Sequence, residues 1–138
     1  MKRMMGIDYG DARTGIAISD LRCTIVGTTM VIPSRNQEKA VADIVRLCKE
    51  YEVGQLVLGL PRNMDGTEGN RAQLCREFAS ILETATGLPV QMWDERRTTV
   101  EAHNILSQHN YHGQKRKNTV DAVAASLILE GYLAFVGR

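Results

Sequence analysis

The sequence predicts an α/β domain with a five-stranded mixed sheet that helices cover on both faces. The periodicity of apolar residues gives the order βββαβαβαα, in which three consecutive strands precede strands that alternate with helices. Strands joined by short turns pair antiparallel, whereas strands joined through a helix run parallel. A length of 138 residues, 43% of them hydrophobic, is enough for one such domain over residues 1–138.

The first three strands are predicted to form two consecutive hairpins. Residues 3–9 and 14–20 are short apolar segments, and the turn-forming residues 10–12 separate them. Residues 24–32 are rich in β-branched side chains and end at Pro33, which favours a third strand.

The middle of the chain then alternates helix and strand. Residues 37–51 carry apolar residues at i, i+3, i+4 and i+7 from Val41, which predicts a helix. Residues 55–60 are continuously apolar and should be buried on both faces of the sheet. A second helix is expected between the turn-rich loop 61–69 and Thr86. Its predicted core face consists of Leu74, Phe78, Ile81, Leu82 and Ala85.

The last part of the chain is predicted to contain one strand and two helices. Residues 89–95 form the strand, and Thr98 with Glu101 makes a capping-box pair at the start of the third helix. A basic, polar loop over residues 107–118 leads to a final helix over residues 119–133.

Composition excludes several classes of protein. Lys and Arg number 17 against 16 Asp and Glu, a net charge of +1 that excludes a polybasic or acidic tail. Cys23, Cys48 and Cys75 have no CxxC spacing, which favours free thiols in a reducing compartment over disulfides or zinc. No apolar run reaches the ~18 residues of a membrane span. The first apolar run ends at Asp8, too early for a secretory signal, so we expect a cytoplasmic protein.

Asp8 is the first candidate site residue. It ends the first strand between Gly6 and Gly10, where a carboxylate is costly unless a cation or a donor meets it. The glycines leave room for a ligand to approach the backbone. The alternative is an Asp that begins the turn over residues 8–14.

Asp94 and Glu95 end a strand that we expect to run parallel to the first. Parallel strands bring their carboxyl ends to one edge of the sheet, where α/β proteins usually bind ligands. Alternation places the two acids on opposite faces, so one of them can face the site. The alternative is that both are surface partners of Arg96 and Arg97.

Asp121 lies on the side of the last helix that packs. Its helical neighbours are Ala124, Ala125 and Ile128, all apolar. With Asn118 as the N-cap, Asp121 would also complement the helix dipole at position N3. A single Asp can serve both roles.

Acids from three separate elements at one sheet edge would provide hard oxygen ligands for Mg²⁺ or Mn²⁺. Paired ions ~3.5–4 Å apart activate water and stabilise the leaving oxygen in phosphodiester hydrolysis. No GxxxxGK[ST] motif is present, which excludes P-loop nucleotide hydrolysis. The histidines are expected on the surface rather than as ligands: His103, His109 and His112.

Positive charge is concentrated near the candidate acids. The basic residues are Arg62, Arg96, Arg97, Lys115, Arg116 and Lys117. They could line the rim of the same edge and bind a phosphate backbone. For the run Lys115–Lys117, a solvated loop is an equally common interpretation.

Four segments together resemble the YqgF/RuvX family, in its order and with its spacing, over essentially the whole chain. They read GIDYGDARTGIAISD, LVLGLPRNMDGTEG, WDERRTTVEA and KRKNTVDAVAASLIL. The resemblance implies a ribonuclease H-like fold related to the RuvC Holliday junction resolvases. It also implies a cytoplasmic, divalent-metal-dependent nuclease that processes the 5′ end of the 16S ribosomal RNA precursor. Carried over by motif, the metal-binding catalytic acids would be Asp8, Glu95 and Asp121.

This sequence departs from the RuvC pattern at one position. RuvC-type resolvases carry an acid on the strand after the first helix, and residues 55–60 here read QLVLGL. Glu95 must then take that role, unless Asp94 or the loop residues Asp65 or Glu68 do so.

Three alternative functions differ in what they require. A nucleotide-binding protein of the actin, Hsp70 or sugar-kinase type needs two lobes, and 138 residues supply one. A catalytically silent nucleic-acid-binding module would be favoured by the loss of an acid, and all three are present. A Holliday junction resolvase makes paired cuts and needs a two-fold dimer. No surplus apolar stripe predicts such a dimer, so we expect a monomer or a weak homodimer.

Overall fold

Five strands form one mixed sheet in the computed structural model, which describes residues 2–94 and 113–137. The strands are β1 (Arg3–Asp8), β2 (Arg13–Ser19), β3 (Val26–Pro33), β4 (Val53–Leu60) and β5 (Val90–Asp94). The described helices are α1 (Gln37–Glu50), α2 (Asn70–Thr86) and α3 (Gly113–Val136). The helix predicted to begin at Thr98 lies outside the described residues.

The sheet has the order β3-β2-β1-β4-β5. Strands β1, β4 and β5 are parallel, and β2 pairs antiparallel with both β1 and β3. The predicted mixed sheet is therefore confirmed. Its parallel strands end together at Asp8, Leu60 and Asp94, which we call the carboxyl edge. Because β2 runs in the opposite direction, its first residue, Arg13, lies at this edge as well.

The larger core lies between the sheet and the pair α1 and α2. Met5 and Ile7 of β1 enter it together with Leu56 and Leu58 of β4, all fully buried. Val57 is also fully buried but belongs to the cluster under α3 on the other face. Strand β4 is therefore buried on both faces, as its continuous apolar run predicts.

Helix α3 covers the opposite face through a smaller core. Its residues Ala125, Ile128 and Leu129 are buried. A Cβ atom at Gly6 of β1 would lie 2.7 Å from the Leu129 Cβ and 2.9 Å from the Ala125 carbonyl oxygen. The helix can approach the sheet this closely because Gly6 has no side chain.

The predicted core face of α2 is partly wrong. Leu74, Ile81 and Ala85 are exposed, while Phe78 and Leu82 are buried as predicted. The other buried residues of this helix are Ala72, Cys75 and Ala79. These small side chains let the helix lie close to α1 and the sheet, which turns the larger Leu74 and Ile81 towards the flank.

The start of the last helix also differs from the prediction. Helix α3 begins at Gly113, so the loop predicted over residues 107–118 is wrong for residues 113–118. Asn118 lies inside the helix and does not cap it, and Asp121 is therefore not at N3. The run from Gln114 to Lys117 consists of good helix formers, so the helix extends through it despite its charge.

The start of β3 is shifted by a tight turn. Asp20 accepts hydrogen bonds from the Thr24 and Ile25 amides at 2.8 and 3.2 Å, and the Thr24 amide bond lowers the pKa of Asp20. Strand β3 consequently begins at Val26 rather than at Thr24.

The structure bears on the state of the cysteines and on the presence of membrane-spanning helices. Cys23, Cys48 and Cys75 all lie within the described residues, and none of them forms a disulfide. Burial raises the pKa of the Cys48 thiol to about 11, so it is inert near neutral pH. Among the described helices, none combines the length and apolarity of a membrane span.

Candidate metal and nucleic-acid site

Asp8 lies at the carboxyl edge on the face of the sheet that α3 covers. Gly6 of the same strand lies against Leu129 and Ala125 of α3. Residues two positions apart in a strand point to the same face, so Asp8 shares this face with Gly6. Its side chain is half-buried.

Asp121 reaches the same place from α3. A Cβ atom on Gly15 would overlap the backbone carbonyl oxygen of Asp121, so helix and strand touch at this glycine. Gly15 is also the direct antiparallel partner of Asp8. The structure therefore places two of the predicted acids, Asp8 from β1 and Asp121 from α3, beside one glycine.

Gly15→Ala is expected to destabilise the fold and to move Asp121 relative to Asp8. The added methyl group meets backbone rather than a flexible side chain, so α3 itself must shift. Overpacking typically costs roughly 1–3 kcal/mol, and contact with backbone favours the upper end of this range. Urea denaturation measures this cost, with Gly27→Ala as the control because its nearest neighbours would lie at 3.7 Å. A Gly15→Ala protein as stable as the Gly27→Ala protein would contradict this packing.

Arg13 is the partner of Asp121. Its Nε donates a hydrogen bond to Oδ2 of Asp121 at 2.8 Å, and the two side chains are 30% and 19% exposed. Arg13 is not among the residues predicted from the sequence, because 108 positions separate it from Asp121. The only sequence signal is its place directly after the turn that follows Asp8.

Two of the other acids, Asp65 and Glu68, lie in the loop over residues 61–69 and accept hydrogen bonds there. Glu68 accepts hydrogen bonds from Arg76 at 2.8 and 2.7 Å, which lower the pKa of Glu68. Asp65 accepts hydrogen bonds from the amide and the hydroxyl of Thr67 at 2.9 and 2.6 Å. Both sets of bonds are local, and neither brings the acid to Asp8.

Of the two acids Asp94 and Glu95, the structure describes only Asp94. Met92 packs against the core under α1 and α2, so alternation places Asp94 on that face, opposite to Asp8. Trp93 packs with the cluster under α3. Glu95 lies outside the described residues.

The donors present suit a hard divalent cation. Asp8 and Asp121 offer carboxylate oxygens, the ligands that Mg²⁺ and Mn²⁺ prefer. Within residues 2–94 and 113–137, no three acidic, histidine or cysteine side chains are grouped so that they could hold a metal ion. The described pair would therefore need further ligands.

The structure describes four of the six residues predicted to form the basic rim. Arg62 follows β4 at the carboxyl edge and forms an ion pair with Glu68 at 3.6 Å. Its Nε is buried and has no hydrogen-bond partner within the described part of the chain. Helix α3 carries Lys115, Arg116 and Lys117 in the turns before Asp121. Two further residues of the predicted rim, Arg96 and Arg97, lie outside the described residues.

Arg71 of α2 fixes the turn that follows Asp8, a role that no sequence pattern predicts. Its guanidinium donates to Oδ1 of Asp11 at 2.7 Å and to the Tyr9 carbonyl oxygen. It also lies 5.1 Å from the centroid of the Tyr9 ring, which stacks on Phe78 at 3.8 Å. The backbone on the carboxyl side of Asp8 is thereby held by α2.

Solved structures with the same architecture include junction resolvases. Thermus thermophilus RuvC in complex with a Holliday junction substrate aligns with a TM-score of 0.63 at 11% identity, covering 100% of this chain and 98% of RuvC. Fowlpox virus resolvase with Holliday junction DNA aligns with a TM-score of 0.61 at 10% identity, covering 99% of both chains. The protein therefore has the ribonuclease H-like fold of RuvC-type resolvases, as predicted.

The sequence comparisons identify the family. The RuvX family model, described as Holliday junction resolvase, matches residues 2–134, and the chain belongs to this family. A Halothermothrix orenii protein is 44% identical over 137 residues, covering 99% of this chain and 97% of its own length. A Clostridium novyi protein is 41% identical over 132 residues, covering 95% of this chain and 97% of its own length. Both relatives carry the name "Putative pre-16S rRNA nuclease".

Proposed function

We propose that this protein is a divalent-metal-dependent nuclease that hydrolyses phosphodiester bonds and processes the 5′ end of the 16S ribosomal RNA precursor. The observation that carries the proposal is the placement of Asp8 and Asp121 beside Gly15, at the carboxyl edge of a ribonuclease H-like sheet. The names of the relatives support the RNA substrate. An RNA precursor as substrate implies a location in the cytoplasm.

Asp8, Asp121 and Glu95 would hold Mg²⁺ or Mn²⁺ in a two-metal site. Glu95 is favoured over Asp94, because Asp94 shares the face of Met92, which is opposite to the face of Asp8. When bound, the metal ions would activate water for attack and stabilise the leaving oxygen. The protein's own contribution is to bring Asp8 of β1 and Asp121 of α3 together at the carboxyl edge.

The basic residues Arg62, Arg96, Arg97 and Lys115–Lys117 would bind the phosphate backbone. Lys117 is one helical turn before Asp121, and Lys115 is about 9 Å before it along the helix axis. The Arg62 side chain follows β4 at the carboxyl edge and is 35% exposed, which supports contact with a phosphate there.

Replacing Lys115, Arg116 and Lys117 with Ala is expected to weaken RNA binding at low salt and to flatten its salt dependence. For every phosphate that the variant no longer neutralises, the slope of log K against log salt should fall by about 0.7 for a single strand. The matched control removes three exposed cations of α1, Lys39, Arg46 and Lys49, and should leave the slope unchanged. If the slope of the first variant equalled that of the wild type, this run would be a solvated helix face.

The test of the function compares two substrates in parallel. Labelled 5′-leader RNA of the 16S precursor and a four-way DNA junction are each incubated with Mn²⁺, Mg²⁺ or EDTA. We expect metal-dependent cleavage of the RNA by a monomer or weak homodimer. Symmetric paired cuts in the junction would instead establish the alternative that the RuvX description suggests, junction resolution by a two-fold dimer. Binding without cleavage of either substrate would leave a silent nucleic-acid-binding module.

A further inference from the structure

The ion pair between Arg13 and Asp121 is more sheltered from solvent than the helical pair on α1. Its side chains are 30% and 19% exposed, against 62% and 55% for Arg46 and Glu50 of α1. Exposed pairs of the second kind contribute little to structure, because solvent screens them. A half-buried pair fixes both side chains more firmly.

Both ends of this pair are attached to rigid backbone. Arg13 is paired in the sheet with Pro33, and the preceding carbonyl of Ala12 accepts a hydrogen bond from the Ser34 amide at 3.0 Å. The backbone of Asp121 lies against Gly15, two residues along the same strand from Arg13. The packing of α3 on β2 therefore brings the Asp121 side chain within reach of Arg13, and the hydrogen bond from Arg13 fixes the orientation of its carboxylate.

The hydrogen bond uses only one of the carboxylate oxygens. Arg13 donates through Nε to Oδ2 of Asp121, and within the described residues no hydrogen bond to Oδ1 accompanies it. Side chains that bind a metal ligand in this way orient the ligand and leave its other oxygen for the ion.

We propose that Arg13 is the positioning residue of Asp121. It holds Oδ2 so that Oδ1 is available to a divalent cation, and its positive charge offsets the repulsion between the carboxylates of Asp8 and Asp121. This inference rests on the proposed function, because it assigns Asp121 to the metal site.

The direction in which Arg13→Gln changes the affinity for a divalent cation distinguishes positioning from simple charge repulsion. Arg13 is a cation beside the proposed metal site, so Coulomb repulsion alone predicts that Arg13→Gln binds a divalent cation more tightly. Loss of orientation predicts the opposite, since removing such a partner typically weakens metal binding 10–100-fold. Weaker binding of the cation by Arg13→Gln would therefore support positioning, and tighter binding would support simple repulsion.

The experiment measures Mn²⁺ binding to the full chain by isothermal titration calorimetry. We expect the Kd of Arg13→Gln to rise 10–100-fold. Arg13→Lys should recover part of the affinity, because it keeps the positive donor but lacks the planar guanidinium. Arg46→Gln makes the same change in charge at the exposed pair on α1 and should leave the Kd unchanged. Circular dichroism verifies that each variant is folded.

A double-mutant cycle tests whether Arg13 acts through Asp121. Arg13→Gln should cause no further decrease of Mn²⁺ affinity in an Asp121→Asn background. In cleavage assays, Arg13→Gln should lower kcat at saturating Mn²⁺ and leave the KM for RNA unchanged. Unchanged or tighter Mn²⁺ binding by Arg13→Gln, or an equal decrease in both backgrounds, would overturn this inference alone. A wild type that neither binds Mn²⁺ nor cleaves RNA would overturn the proposed function together with it.

Discussion

Asp8→Asn is expected to abolish cleavage of RNA while the protein stays folded. The amide has nearly the shape of the carboxylate but lacks the charge that holds a divalent cation, so the rate should fall at least about a hundredfold. Asp8 and Asp121 both adjoin Gly15, and removing one of two neighbouring negative charges relieves their repulsion. The free energy of unfolding without metal should therefore be unchanged or higher.

Single-turnover cleavage at saturating Mn²⁺ measures this effect, and urea denaturation measures the stability. Asp43→Asn is the matched control, because Asp43 lies on α1 and its ion pair with Arg46 is long at 3.8 Å. The control should cleave like the wild type. Wild-type turnover by Asp8→Asn would remove Asp8 from the catalytic site.

The second large effect is expected at Glu95. Glu95→Gln should reduce cleavage about as much as Asp8→Asn, whereas Asp94→Asn should cleave at nearly the wild-type rate. Asp94 should tolerate the change because side chains alternate along β5. Met92 and Asp94 share the face under α1 and α2, whereas Asp8 and Trp93 lie on the face that α3 covers. The two variants differ by one position and make the same change in charge, so each controls for the other.

Measurement of cleavage rates at several Mn²⁺ concentrations separates a weakened metal site from a general loss of activity. For Glu95→Gln, the concentration of Mn²⁺ that gives half the maximal rate should rise. If Asp94→Asn were inactive and Glu95→Gln active, the second acid would be Asp94.

The architecture could be predicted from the sequence because its signals are local. Alternating and continuous apolar runs mark the five strands, and the two kinds of connection distinguish the antiparallel pairs from the parallel ones. The run at residues 55–60 is an example, since a continuous apolar run of this length is typical of a strand buried on both faces.

The predictions are wrong where a local signal competes with packing or with propensity. The charge of the run before Asn118 favours a loop, although its Gln, Lys and Arg residues are good helix formers. On α2, hydrophobicity assigns the large residues Leu74 and Ile81 to the core, while the space available selects the small residues Ala72 and Cys75. Hydrophobicity alone does not carry this information, because it depends on how closely the helix approaches its neighbours.

The candidate site could be predicted only as far as its acids. Asp121 has apolar helical neighbours and Asp8 has flanking glycines, and both features are visible along the chain. The hydrogen bonds of Arg13 to Asp121 and of Arg71 to Tyr9 join residues 108 and 62 positions apart. No periodic pattern reports such bonds, because they exist only once β1, β2, α2 and α3 have packed together.

The most direct test of the metal site is anomalous scattering from crystals soaked in Mn²⁺. We predict anomalous difference peaks at the carboxyl edge, next to the carboxylates of Asp8 and Asp121, and no such peaks in Asp8→Asn crystals. Ordered Mn²⁺ elsewhere on the protein, with none at Asp8 and Asp121 in the wild type, would contradict the proposed site.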